Sequence, residues 1–136
     1  MCVRLPNTRQ ARIACACLVT SVAVGGCSGH GPRASADCEA QVRVDGVLYT
    51  SVGPTHRQAS RYASAEKAEC HDTGRDPGGS VFADDPERLD TWAFDGYPPT
   101  KVLGVRWYGN DLGVFIADAV PAEERERIHE DLANSG

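Results

Sequence analysis

The first 27 residues limit how much of this chain can fold. Arg4, Arg9 and Arg12 form a basic head without acidic residues, and Ile13–Val24 (IACACLVTSVAV) follows as 12 residues without a formal charge. A basic head, a short apolar run and small residues are the order of a secretory signal peptide, and the run is shorter than the about 20 residues that span a bilayer. Cleavage before Cys27 would remove 26 of the 136 residues and leave 110. That length predicts one small domain.

The residues around the expected cleavage site resemble the lipobox of bacterial lipoproteins. Val24-Gly25-Gly26 places small residues directly before Cys27. The resemblance implies a diacylglyceryl group on the Cys27 thiol, with fatty acids such as palmitate holding the protein to the membrane. We therefore predict a signal peptide over residues 1–26 and a lipid-anchored protein on the extracytoplasmic face of the bacterial cell membrane. The alternative is an ordinary secretory signal followed by a chance cysteine.

The charge balance of the mature chain argues against one class of partner. The signal carries three of the 14 basic residues and none of the 19 acidic ones, so 11 basic and 19 acidic residues remain, a formal net charge of −8. Nucleic acids and anionic lipids are bound by clustered lysine and arginine side chains. We predict no nucleic-acid partner.

Two of the six cysteines remain for the folded domain. Cys2, Cys15 and Cys17 would leave with the signal and Cys27 would be lipidated, which leaves Cys38 and Cys70. In an oxidising, exported setting such a pair predicts a disulfide. Closing this loop would stabilise the fold by about 3–4 kcal/mol in the chain-entropy model. The alternatives are a zinc site, which would need two further ligands, and a redox pair, for which the spacing is not Cys-x-x-Cys.

The chain after the signal begins with a tether and a β-hairpin. Residues 27–36 are rich in serine and glycine and are interpreted as the lipidated cysteine and a flexible tether, before a single domain over residues 37–136. Cys38–Val44 alternates apolar and polar residues, Asp45-Gly46 is typical of a type I′ turn, and Val47–Val52 is rich in β-branched residues. These patterns predict two antiparallel strands.

The middle of the chain carries weaker signals. Gly53-Pro54 is expected to end the second strand. Thr55–Cys70 is polar with scattered alanines and is interpreted as a short helix, with Thr55 as N-cap, or as an irregular loop. Val81–Ala83 and Leu89–Phe94 are expected to be strands.

The last third predicts a second hairpin and a helix. Lys101–Trp107 alternates, a Gly-Asn-Asp turn follows, and Leu112–Ala117 is apolar on both faces, as in a strand covered from two sides. Pro121–Ala133 predicts a helix with Pro121 at its first position and a buried face of Ala122, Ile128 and Leu132. The expected fold is α+β, a small antiparallel sheet of about five strands with a C-terminal helix.

Two places could carry chemistry, and both have a plainer interpretation. His71-Asp72 could orient a base or bind a metal, but a turn capped by the Asp72 side chain is favoured. Four acidic residues in one loop-rich stretch could collect calcium, but they lack the spacing of a calcium loop and are interpreted as a solvated face. These four are Asp72, Asp76, Asp84 and Asp85. We predict no catalytic residue, metal or cofactor.

Tyr97 is the residue that the sequence offers as a partner contact. It lies in a loop between Gly96 and two prolines, and an aromatic side chain on a stiff loop is the kind of residue that anchors an interface. The favoured function is a non-catalytic binding or interaction module that contacts an unknown envelope protein or ligand. The alternative is a small extracytoplasmic hydrolase or metal-dependent enzyme that uses His71 with Asp72.

These features together resemble a group of small uncharacterised actinobacterial lipoproteins that share a domain of unknown function. The resemblance rests on the lipobox, Cys38-x3-Val42-x3-Gly46-x2-Tyr49, Cys70-x-Asp72 and a terminal hairpin with a following helix. The group tends to have a proline close before its second cysteine, where this chain has Ala68-Glu69. The resemblance implies export and a disulfide, and no activity.

Overall fold

The computed structural model describes residues 38–106 and 109–135. The predicted signal peptide, the lipid attachment at Cys27 and the tether through residue 36 lie outside the described residues. In chain order the elements are β1 (Gln41–Val44), β2 (Val47–Thr55), β3 (Ala59–Lys67), β4 (Glu69–His71), β5 (Gly79–Val81), β6 (Arg88–Phe94), β7 (Val102–Arg106), β8 (Leu112–Ala117) and α1 (Ala122–Ala133).

Both predicted hairpins are confirmed. Asp45 and Gly46 join β1 to β2 with φ angles of 49° and 81°, the positive values that a type I′ turn requires at both central residues. The pairing of β7 with β8 runs from Val102 opposite Ile116 to Arg106 opposite Leu112. Trp107, the expected last residue of that strand, lies outside the described residues.

The sheet is closed, so the prediction of a small α+β sheet of about five strands is wrong. Six antiparallel strands form a barrel in the order β1-β2-β8-β7-β6-β3, and β3 returns to pair with β1. The closing register places Val42 opposite Lys67 and Arg43 opposite Glu66. Residues 38–106 and 109–135 are therefore mostly β, with one helix and a separate two-stranded sheet of β4 and β5.

The strand that closes the barrel comes from the segment that was expected to be a helix or a loop. Within Thr55–Cys70, the residues Ala59–Lys67 form β3 and pair with both β1 and β6. Ala65 is fully buried in this strand, where a side chain of alanine size fits the interior. Partners distant in sequence thus decide the conformation of residues whose own strand propensity is low.

The prediction that Gly53-Pro54 ends the second strand is also wrong. The strand β2 continues to Thr55 through an irregularity in its pairing with β8 between Ser51 and Gly53. Gly53 has a φ of 149°, and a Cβ at this position would lie 3.1 Å from Nε2 of His129 in α1. Glycine is therefore required both by the backbone and by the close approach of the helix.

The core has two parts, one inside the barrel and one under the helix. Cross-strand partners share a face, so Val42 with Tyr49 and Leu103 with Phe115 fill the interior. Every residue of β8 is buried, which confirms the expectation of a strand covered on both faces. The helix α1 packs on β2 and β8 and buries Ile128 and Leu132. The third residue of the predicted helix face, Ala122, is exposed instead.

The helix begins and ends close to the predicted positions, with Pro121 as N-cap rather than first helical residue. Glu123 and Glu124 occupy the first turn, where the helix dipole favours negative charge. Across the described ranges, residues 38–106 and 109–135, no helix has both the length and the apolar character needed to cross a membrane.

Candidate functional site

A disulfide joins the start of the barrel to the small sheet. The sulfur atoms of Cys38 and Cys70 are 2.01 Å apart, and their Cα atoms are 5.5 Å apart. This confirms the predicted pairing. Cys38 precedes β1 and Cys70 lies in β4, so the bond fixes β4 and β5 beside the end of the barrel at which β1 begins and β3 ends.

A cleft of about 540 Å³ opens beside this disulfide. One wall is the segment 38–40, the other is 67–70, and Ser80 and Glu87 complete the lining. Backbone hydrogen bonds hold the walls: the Ala68 amide donates to Gln41 O at 3.0 Å, and the Lys67 amide donates to Glu87 O at 2.8 Å. The Ser80 hydroxyl donates to the carbonyl oxygen of Glu39. The volume lies within the usual range of small-molecule sites.

A second cavity adjoins the cleft. A smaller cavity of about 40 Å³ shares Ala40, Lys67 and Ala68 with the cleft. The apolar residues that line this inner cavity are Val42, Leu89, Val105 and Phe115. These four residues come from four strands of the barrel, β1, β6, β7 and β8, so an apolar group that reaches them is sheltered from water.

The rim of the cleft is mainly acidic. Three carboxylates, of Glu39, Glu69 and Glu87, and one ammonium group, of Lys67, belong to its lining. Lys67 Nζ is 2.8 Å from Glu87 Oε2, so these two charges offset each other. Glu69 Oε2 lies 3.4 Å from Nε2 of His71, and both side chains are exposed. Among the described residues, none forms a hydrogen bond or an ion pair with the Glu39 carboxylate.

His71 and Asp72, the proposed catalytic pair, lie on the small sheet and its following turn rather than in the cleft lining. Both are exposed, and His71 contacts Glu69. The Asp72 carboxylate and the sulfur atoms of Cys38 and Cys70 lie within 4.8 Å of one another. This is the spacing of a metal site, but metals bind thiolates, and here the two sulfurs are bonded to each other. Asp76, Asp84 and Asp85 join no such group of ligands among the described residues.

Tyr97 belongs to a polar cluster that holds the C-terminal end of α1. Its hydroxyl donates to Oδ2 of Asp131 at 2.6 Å, and Arg57 Nη1 donates to the same oxygen at 2.6 Å. The Arg57 guanidinium lies 5.8 Å from the centre of the Tyr97 ring. Beneath them the Thr55 hydroxyl donates to Leu132 O at 2.6 Å. The ring of Tyr97 is half-buried against the core. Its contact with a partner stays a prediction.

This cluster shifts the pKa of both acidic partners. Burial first, and then the hydrogen bond to Asp131, raises the pKa of the Tyr97 hydroxyl. The hydrogen bond from Tyr97 first, and then that from Arg57, lowers the pKa of the Asp131 carboxyl. The folded state therefore favours ionised Asp131 beside protonated Tyr97.

Asp131→Asn is expected to weaken the fold at neutral pH and to matter less in acid. Folding lowers the pKa of Asp131 below its unfolded-state pKa of about 4. The carboxylate therefore contributes to the free energy of unfolding at a pH above the unfolded-state pKa, and this contribution is lost as the pH falls through the lower folded-state pKa. Urea unfolding of the variant and the wild type at pH 6 and pH 3 measures this, with Asp95→Asn, an exposed aspartate, as control. A difference between Asp131→Asn and wild type that does not change with pH would contradict the assignment.

The fold and the cleft define a class, a small closed antiparallel barrel with one docked helix and a ligand-sized opening at one end. Residues 29–133 match the Family of unknown function (DUF6281), and since this match spans more than half of the chain, the chain belongs to that family. No curated protein and no solved structure matches the chain. The predicted domain of unknown function is thereby confirmed, while the actinobacterial and lipoprotein parts of the resemblance stay predictions.

Proposed function

We propose that this protein is a lipid-anchored envelope protein whose barrel domain is a non-catalytic binding module with its ligand site in the cleft. The observation that carries the proposal is the cleft itself, about 540 Å³ in volume, which shares three lining residues with a small, mostly apolar cavity. Mouths of β-barrels are common sites for small ligands. His71 and Asp72 lie outside the lining, so the groups that would serve a hydrolase do not converge on this space.

The anchoring rests on the sequence pattern, a basic head, a short apolar run and Cys27 after two glycines. In the native host, Cys27→Ala is expected to abolish labelling by a fatty-acid analogue and to move the protein to soluble fractions. A Cys27→Ala product that stays in the membrane at its unprocessed size would indicate an uncleaved signal anchor and contradict lipidation.

The binding role is tested by NMR with a set of small aromatic fragments that are neutral, cationic or anionic. Fragments that bind the oxidised full chain are expected to shift the backbone amides of Ala40, Ala68 and Cys70, which line the cleft. The variant Ala68→Phe fills the cleft and should abolish these shifts. Ala119→Phe adds the same side chain at an exposed position outside the cleft and should leave them unchanged.

Near-UV circular dichroism of both variants checks that the domain keeps its packing. Shifts that are scattered over the surface, or that persist in a folded Ala68→Phe variant, would place binding elsewhere. The absence of any cleft shift across the whole fragment set would contradict a binding module at this site.

A further inference from the structure

The charged residues that line the cleft indicate which charge its ligand carries. Of its four charged lining residues, Lys67 and Glu87 form an ion pair with each other at 2.8 Å. The two remaining charges are the carboxylates of Glu39 and Glu69. An anionic ligand would meet two carboxylates and an ammonium group that is already neutralised.

The disulfide joins the two wall segments that carry these glutamates. Glu39 directly follows Cys38, and Glu69 directly precedes Cys70. The cysteine Cα atoms are held 5.5 Å apart, so the two glutamates are fixed to segments that cannot separate while the bond is intact. Glu39 is exposed, and among the described residues its carboxylate forms no hydrogen bond or ion pair, while the Glu69 carboxylate has His71, at 3.4 Å, as its polar partner.

The residues next to the two glutamates in the cleft lining are apolar. Ala40 and Ala68 lie on the shared surface of the cleft and the inner cavity, and Val105 and Phe115 lie deeper. An acidic rim next to apolar residues is complementary to a molecule that joins a positive charge to a hydrocarbon or aromatic body.

We propose that the cleft binds a small organic cation, with its ammonium or guanidinium group between Glu39 and Glu69 and its apolar body over Ala40 and Ala68 toward the barrel interior. This inference rests on the proposed binding function and names its ligand class. The net charge of the mature chain, −8 from 11 basic and 19 acidic residues, attracts cations over a longer range.

Three probes of nearly equal shape test the charge preference. NMR titrations of the oxidised full chain use 2-phenylethylammonium, neutral 2-phenylethanol and anionic 3-phenylpropionate. The ammonium probe is expected to bind at the cleft about fivefold or more tightly than the alcohol, and the carboxylate probe more weakly than either. The advantage of the ammonium probe should shrink as salt is added, since exposed charges are screened.

Paired variants then assign the preference to the two glutamates. The double variant Glu39→Gln/Glu69→Gln should bind the ammonium probe no better than the alcohol. Glu126→Gln/Glu130→Gln removes the same charge from exposed positions of α1 and should keep the preference. Equal binding of all three probes at the cleft, or binding of none of them, would overturn the cation proposal. The proposed binding function fails separately, only if the wider fragment set finds no site in the cleft.

Discussion

Replacing Cys38 and Cys70 together by alanine is expected to lower the free energy of unfolding by about 3–4 kcal/mol. The bond closes a loop with a sequence separation of 32, and cross-linking such a loop removes conformational freedom from the unfolded chain. Because small domains are stable by about 5–15 kcal/mol in total, this is a large part of the whole. Urea unfolding of the variant and the oxidised wild type measures the difference.

The same variant should loosen the cleft before it unfolds the barrel. The sheet of β4 and β5 has only three residue pairs, from Glu69 opposite Val81 to His71 opposite Gly79, and a short two-stranded sheet is marginal alone. Hydrogen exchange is therefore expected to accelerate most at the amides of this sheet. If the variant loses less than about 1 kcal/mol of the free energy of unfolding, and amide hydrogen exchange in β4 and β5 is unchanged, the disulfide is not what holds these two strands in place.

Phe94→Ala is expected to destabilise the protein by about 3–5 kcal/mol, the usual cost of truncating a buried phenylalanine. The Phe94 side chain is only 2% exposed, at the end of β6. Its ring lies against the backbone of β7, where a Cβ at Gly104 would stand 3.0 Å from Phe94 Cζ. The glycine thus provides the space that the ring fills.

A double-mutant cycle tests this packing directly. Gly104→Ala should destabilise the wild type, because the new methyl group collides with the ring, and should be neutral or stabilising in Phe94→Ala, where the ring is gone. Additive effects of the two substitutions on the free energy of unfolding would contradict the contact. Chemical denaturation of the four proteins supplies all the values needed.

Sequence patterns predicted the elements that are set by neighbouring residues. Asp45-Gly46 needs positive φ angles whatever surrounds it, so the first hairpin is visible in the sequence. Pro121 and the acidic first turn likewise mark the start of α1. Closure of the barrel depends on β3, whose alanines favour other conformations and which is held by strands distant in sequence. The alternation of Ala63 and Ala65 with Tyr62, Ser64 and Glu66 was the only local sign of a strand.

The candidate site was harder to predict than the fold. Its disulfide followed from the cysteine count, but the cleft is assembled from segments 38–40 and 67–70 with Ser80 and Glu87. No motif joins these segments, because they meet only when β1 pairs with β3. The cluster of Arg57, Tyr97 and Asp131 was missed for the same reason, as its members come from three different parts of the chain.

The barrel and the cleft both depend on the pairing of β1 with β3, because without it the sheet is open and the two walls of the cleft do not meet. A NOESY spectrum of the folded protein tests it most directly. Backbone protons of Arg43 and Glu66, and of Val42 and Lys67, are expected to give cross-strand peaks as strong as those between Val42 and Tyr49 in the first hairpin. Peaks between β1 and β2 without any between β1 and β3 would show an open sheet and contradict the account.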